Sequence, residues 1–312
     1  MAVYFNSEIN RRSVNEDRYC DMEFRLNHEA AVHVMTVADG MGGLAGGQYY
    51  SETAVKLFNE RLLGVIMDKN FEGSSLEEQA GLLKEFCHQV FQDINQVLYT
   101  RGLNAGIKGG TTLTAVIHFW HSFMIANCGD SPAYCLKDGR LRLVSDIQNA
   151  AWQMIREGKT RKGSLLYHQN KARLLQYLGR RDPVHPHVEV VEEEDVDYLL
   201  LGTDGAFGNL GRKRLAGFFD GRIRHQQILS EIFEAARAEG EEDNQTGILY
   251  VPKDRTPAAQ PDVFLSQVTE AASESLPYET AVPGQYRSAA GKAGSFRALR
   301  EKVIGRVLVR RR

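Results

Sequence analysis

Charge of one sign, long apolar runs and clustered cysteines are all missing from this sequence. Lys and Arg number 38 against 40 Asp and Glu, a formal net charge of −2. That balance argues against a chain-wide nucleic-acid surface, and no nucleic-acid partner is expected. No run of about 18 apolar residues occurs, so nothing reads as a membrane span. The opening MAVYFNSEINRR lacks the basic start and apolar core of a signal peptide. The four cysteines, Cys20, Cys87, Cys128 and Cys135, are scattered with no CxxC pair. They read as small core residues of a reduced, cytoplasmic protein, not as a disulfide frame or a catalytic thiol. No internal repeat is present.

What remains is globular in composition. The 312 residues are 43% hydrophobic and 25% charged, enough for one large or two small domains with a sizeable core. Apolar, β-branched runs predict strands at Ala31–Ala38, at Tyr198–Leu201 and at Gly247–Val251. Leu113–Ala126 reads as a hairpin turning near His121-Ser122, and Lys137-Asp138-Gly139 as the turn of another. Apolar residues at helical spacing predict helices over Gln48–Leu63, Leu76–Leu98 and His225–Ala238. Strands and helices come in blocks, which favours α+β layers with antiparallel sheets over a doubly wound parallel sheet.

Composition shifts after Val251. Residues 254–294 are rich in Ala, Ser, Pro, Gly and Glu and read as a flexible linker. In 295–312, Phe296, Leu299, Val303, Ile304, Val307 and Leu308 recur at helical spacing among Arg297, Arg300, Lys302, Arg306 and Arg310–Arg312. This basic amphipathic pattern suits an anionic membrane surface, a partner's groove, or packing on the body. Residues 254–312 hold ten basic and six acidic residues, a net +4, so 1–253 carries −6 of the total −2.

Carboxylates mark the chemistry. Asp39 (VMTVADGMGG) and Asp204 (YLLLGTDG) follow apolar runs, and Asp243 (EEDNQTGILYV) precedes one. Each is followed by Gly or Asn, which lets the backbone turn sharply. Read singly, an Asp-Gly caps a local turn; together, three strand-end aspartates suit convergence at one rim of a sheet. Clustered carboxylates raise one another's pKa, and divalent cations with a taste for oxygen keep them ionised. Asn15-Glu16-Asp17 adds two carboxylates, with Arg12 four positions before Glu16. In an extended or slightly irregular strand Arg12 and Glu16 would share one face, where a guanidinium can hold a phosphate dianion. Asp130 sits in a Gly-Asp-Ser turn. The glycines of DGMGGLAGG lack the Lys-Ser/Thr of a P-loop, and fit close backbone approach to a metal at Asp39 and Gly40 better than a nucleotide cradle.

In this order and spacing the sequence resembles the metal-dependent serine/threonine protein phosphatases of type 2C. The motifs are Arg12…Asn15-Glu16-Asp17, Asp39-Gly40-Met41-Gly42-Gly43 with Gly46-Gly47 and Ser51, and Gly110-Thr111-Thr112. They continue through Gly129-Asp130-Ser131…Tyr134, Leu174…Leu178-Gly179, Leu200…Thr203-Asp204-Gly205 and Asp243-Asn244…Thr246. The resemblance implies a catalytic domain over 1–253 and a four-layer αββα sandwich, two central antiparallel β-sheets flanked by helices. It also implies Mn²⁺ or Mg²⁺, two ions at the core and a weaker third. Asp39 would bridge the two with help from the Gly40 carbonyl; Asp204 and Asp243 would hold the first and Glu16 the second. Asp17 would order metal-bound water, Asp130 with Asp204 would hold the third ion, and Arg12 would clamp the substrate phosphate. A bridging hydroxide would attack phosphorus in line with the Ser or Thr oxygen. Met41, where many members have a histidine, suggests a bacterial-type member and leaves proton donation to water.

The implied partners are phosphoproteins and an opposing Ser/Thr kinase. A non-catalytic, phosphoprotein-binding member is the alternative, against which the intact Asp39, Asp204 and Asp243 argue. Pro132, Thr203 and Asp146-Ile147-Gln148 depart from the family pattern outside the expected ligands. Residues 149–179 correspond to the flap beside the site; Arg161, Lys162, Arg173, Arg180 and Arg181 meet either phosphopeptide charge or solvent.

Overall fold

The computed structural model describes residues 1–27, 30–42 and 46–252. The chain opens with strands β1 (Ala2–Glu8), β2 (Arg18–Arg25), β3 (Ala31–Ala38) and the two-residue β4 (Gly40–Met41). Helices α1 (Gly46–Ile66), α2 (Lys69–Gly73) and α3 (Leu76–Ala105) follow, then β5 (Gly110–Thr111), β6 (Leu113–Phe119), β7 (Ser122–Cys128), β8 (Ala133–Lys137) and β9 (Arg140–Leu143). Short helices α4 (Ala150–Arg156) and α5 (Leu165–Asn170) lead to β10 (His187–Glu192) and β11 (Tyr198–Gly202). The described chain closes with α6 (Asp204–Phe207), α7 (Arg212–Gly217), α8 (His225–Ala238) and β12 (Gln245–Val251).

Two five-stranded antiparallel sheets form, in the orders β1-β12-β11-β8-β9 and β10-β7-β6-β3-β2, and β4 pairs with β5 beside them. Alternation along each strand splits the core into three layers. Met35, Val37, Val116, Leu199, Leu201, Ile248 and Tyr250 meet between the sheets. The other faces of β3 and β6 (Val32, Val34, Ala115, Ile117) pack against α1 and α3, through Phe58, Leu62, Phe91 and Ile94. Leu200 and Leu249 pack against α8 through Leu229, Ile232 and Phe233. The architecture is thus the expected αββα sandwich. Because both faces of the central strands are covered, they read as unbroken apolar runs.

Local chemistry sets the element ends. Ser75 and Glu78 form a reciprocal capping box at the start of α3, and Gly106, at φ 66°, closes it in the left-handed region. The β8–β9 turn places Asp138 and Gly139 at φ 49° and 71°, as the sequence predicts. The β6–β7 turn falls at Trp120-His121, one residue earlier than expected, with Trp120 at φ 58°. Cys87, Cys128 and Cys135 are buried and unpaired, and burial pushes their thiols up to about 12, as suits core residues. Among the described residues no helix is long and apolar enough to cross a membrane. The expected linker 254–294 and basic helix 295–312 lie outside the described residues.

Candidate active site

The site is built on the ends of β3, β7 and β11 and the start of β12. Asp39 leaves β3, and its backbone is clamped on both sides. Its N–H donates to Thr112 Oγ1 at 2.9 Å, while its carbonyl accepts from Thr112 N and from Thr111 Oγ1, each at 2.9 Å. Asp204 begins α6 directly after β11, with Thr203 N–H bonded to the Thr246 carbonyl of β12 at 2.9 Å. The Thr203 hydroxyl donates to Asp17 Oδ2 at 3.0 Å and accepts from Thr246 N at 3.1 Å. Thr203 therefore keeps the hydroxyl that its position needs, and its departure from the family pattern is conservative.

The segment carrying Arg12, Glu16 and Asp17 corrects one expectation. It is a loop between β1 and β2, not an extended strand, so Arg12 and Glu16 do not share a strand face. Asn10, at φ 51°, turns the chain. Asn244 then staples the loop: its amide donates to Ile9 O at 2.9 Å and Val14 O at 3.1 Å, and its Oδ1 accepts from Glu16 N at 2.9 Å. Ser51 of α1 donates to Glu16 O at 2.6 Å. Arg12 lies across the site on Asp243, Nη2 to Oδ2 at 2.7 Å.

Asp130 is held by Asn149, whose Nδ2 donates to Oδ2 at 3.0 Å. Gln148, at another departure from the family pattern, fixes the same turn. It accepts from Gly129 N at 2.8 Å and donates to His185 O at 3.0 Å. Asp146 pairs with Arg156 at 2.5 Å and takes no part in the acid cluster. Pro132 offers only its carbonyl, to Gly202 N at 3.1 Å.

Asp17 is 3% exposed and Asp130 6%, and Asp39, Asp204 and Asp243 are half-buried. Burial pushes the Asp17 carboxyl up to about 7, helped by the charges of Asp204 and Asp243 and opposed by hydrogen bonds from Thr246 and Thr203. Asp39 is raised well above the usual carboxylate range by burial and by Asp17, Asp204, Asp130 and Asp243. Asp130 rises to about 7 through burial and Asp204. Asp204 rises through burial and Asp243, while Lys171 and a hydrogen bond with Asp39 oppose the shift. These mutual influences place five aspartates from distant parts of the chain in one electrostatic cluster.

As the side chains stand, no three of the described carboxylate, imidazole or thiol groups close on one point as a ready-made metal cage. The donor set nevertheless fits a hard divalent cation: it is all oxygen, buried and strongly self-repelling. Glu16 Oε1 is buried with no hydrogen-bond partner. It lies where glycines bring backbone close, since a Cβ on Gly47 would come within 2.5 Å of that oxygen and 2.7 Å of the Gly40 carbonyl carbon. A Cβ on Gly205 would collide with the Asn244 carbonyl oxygen. Gly205→Ala is therefore expected to cost about 2 kcal/mol or more, read as a lowered thermal midpoint; an unchanged midpoint contradicts this packing.

All seven expected ligand residues lie in or beside this rim. Thr112, Thr203, Thr246 and Asn244 belong to motifs visible in the sequence, yet their work of aiming the acids emerges only from long-range hydrogen bonds. Lys171 and Tyr167, both from the flap, carried no sequence signal. The Tyr167 hydroxyl is held protonated by burial and by the charges of Asp204 and Asp130.

Comparison with known proteins bears on the family and the fold. The family described as Protein phosphatase 2C matches residues 6–247. The serine/threonine phosphatase stp of Listeria monocytogenes serotype 4b is 28% identical over 260 residues, covering 82% of this chain and 97% of that relative. The Stp1 serine/threonine phosphatase structure from Staphylococcus aureus superposes with a TM-score of 0.69 at 21% identity, over 80% of this chain and 94% of that one. The S. agalactiae serine/threonine phosphatase structure gives 0.68 at 24%, over 80% and 99%. At these identities the two structures speak for the fold.

Proposed function

The chain belongs to the protein phosphatase 2C family, and from that premise we propose that it hydrolyses phosphoserine and phosphothreonine monoesters in proteins, using Mn²⁺ or Mg²⁺ held by the carboxylates around Asp39. The observation that carries this reading is the convergence of Asp17, Asp39, Asp130, Asp204 and Asp243 on one rim, where the charges of the other four raise the proton affinity of Asp39 and those of Asp204 and Asp243 raise that of their neighbours. Such a cluster is costly without a cation and apt with one.

Asp39, with the Gly40 carbonyl, would bridge two ions; Asp204 and Asp243 would hold the first and Glu16 the second. Asp17, kept in place by Thr203, would order water, and Asp130 with Asp204 would hold a weaker third ion. When bound, the ions supply Lewis-acid activation of water and neutralise phosphoryl oxygens. The chain's own residues do the rest. Arg12 has a side chain 56% exposed; released from Asp243, its guanidinium would hold the phosphate dianion through paired hydrogen bonds. Met41 cannot donate a proton. His33 is buried between the sheets against Asp21 at 2.5 Å, and His28 lies outside the described residues. Proton donation to the leaving oxygen therefore falls to water. The acidic set is complete, and nothing favours a non-catalytic role.

The test is release of phosphate from a phosphothreonine peptide and of nitrophenol from p-nitrophenyl phosphate. Turnover is expected with Mn²⁺ and none with chelator; turnover retained in chelator overturns the assignment. A cytoplasmic setting and an opposing Ser/Thr kinase belong to the same reading. The basic pattern of 295–312 supports reversible contact with an anionic membrane surface or a partner's groove. Deleting 295–312 is expected to reduce co-sedimentation with anionic liposomes; unchanged sedimentation removes the membrane role.

A further inference from the structure

Residues 149–181 hold eight basic residues and one acidic residue, within a body whose net charge is negative. Arg156, Lys159 and Arg180 are paired with Asp146, Glu157 and Asp182. Two others lean on the loop after α6. Lys162 Nζ donates to Leu210 O at 3.2 Å, and Lys171 Nζ to Asn209 Oδ1 at 3.4 Å. Arg212 follows that loop at the start of α7. Lys162 neighbours both other cations: desolvation, then the charges of Arg212 and Lys171, holds its ammonium below the usual lysine range. Among the described residues no carboxylate is in ion-pair reach of Lys162 or Arg212, and Lys171 has only Glu241, at 4.0 Å. Lys171 is also near enough to the acid cluster to act on Asp130 and Asp204.

Lys171 is offset by the acid cluster and Glu241, but Lys162 and Arg212 repel one another with no carboxylate in ion-pair reach among the described residues, which works against the fold. An incoming anion removes that conflict. Resting on the phosphatase reading above, we infer that Lys162, Lys171 and Arg212 form an anion subsite beside the acid cluster, which receives an acidic side chain of the phosphoprotein close to the phosphorylated residue. Between Lys162 and Lys171, α5 presents Leu165, 75% exposed, and Leu166, 40% exposed, as apolar contacts for that segment.

The experiment compares kcat/KM for two phosphothreonine peptides, one flanked by Glu on both sides and one by Gln, using the full chain with Mn²⁺. The Glu peptide is expected to be preferred on the order of tenfold at low salt, and the preference to fade at about 0.5 M NaCl. Lys162→Gln and Arg212→Gln each reduce the preference and together abolish it; Arg212 is exposed, so its replacement leaves folding intact. Lys213→Gln, one residue along the same helix, retains it. Equal turnover of both peptides by the wild type overturns the subsite. So does a preference that survives both replacements, or one lost equally in Lys213→Gln. Failure to turn over either peptide overturns the phosphatase reading instead, and the subsite with it.

Discussion

Replacing Asp39 by Asn is expected to lower turnover by about 10³-fold or more while raising the thermal midpoint of the metal-free protein at pH 7. The two effects share one cause. Asp39 is surrounded by Asp17, Asp204, Asp130 and Asp243, whose charges, after burial, are what raise its proton affinity. An amide of the same shape keeps the hydrogen bond with Asp204 and removes one repelling charge, so the fold gains. It also removes a carboxylate oxygen proposed to hold the cations, so turnover is expected to fail. A residue important only for packing would lose stability and activity together. Paired phosphate-release and thermal-melting measurements decide. A variant that is less stable at pH 7, or one that retains near-wild-type turnover, contradicts the placement of Asp39 at the centre of a metal site.

The second large effect is a stability that falls as pH rises. Asp17 and Asp130 titrate near 7 in the folded chain, against 3.8 for an ordinary aspartate. Between those values the folded state binds more protons than the unfolded state, so stability is present below about 4 and is lost as pH climbs to about 7. Each group contributes on the order of a few kcal/mol across that window. In chelator, the denaturation midpoint should therefore decline from pH 5 to pH 7.5. Mn²⁺ should restore it at pH 7.5 and do little at pH 5, where protons already occupy the carboxylates. Asp17→Asn combined with Asp130→Asn should flatten the metal-free profile. A metal-free midpoint that rises over this range refutes the clustering.

The central strands β3, β6, β7, β11 and β12 were legible because both faces of each are covered, which writes an apolar run into the sequence. Of the strands that sequence did not reveal, the two-residue β4 and β5 are too short to show a pattern, and β1, β2 and β10 are edge strands with half-exposed faces and mixed polarity, as in RYCDMEFR and HVEVVE. The acids were legible because each ends or begins such a run beside a turn residue. What aims them was not. Asn244 reaching back to Ile9 and Val14, Thr203 reaching Asp17, and Asn149 reaching Asp130 are hydrogen bonds across 235, 186 and 19 residues at the longest in each case. No periodicity encodes such pairings. The same holds for Lys171, whose influence on Asp130 and Asp204 exists only once the flap is folded over the rim.

Calorimetric titration of the metal-free chain with Mn²⁺ at pH 7, in two buffers of different ionisation enthalpy, tests the metal centre most directly. Binding of two ions per chain with net proton release is expected, because cations displace protons from raised carboxylates. In Asp39→Asn the stoichiometry should fall and most of the released protons should disappear. Absence of binding in the wild type, or a titration unchanged by Asp39→Asn, would contradict the account.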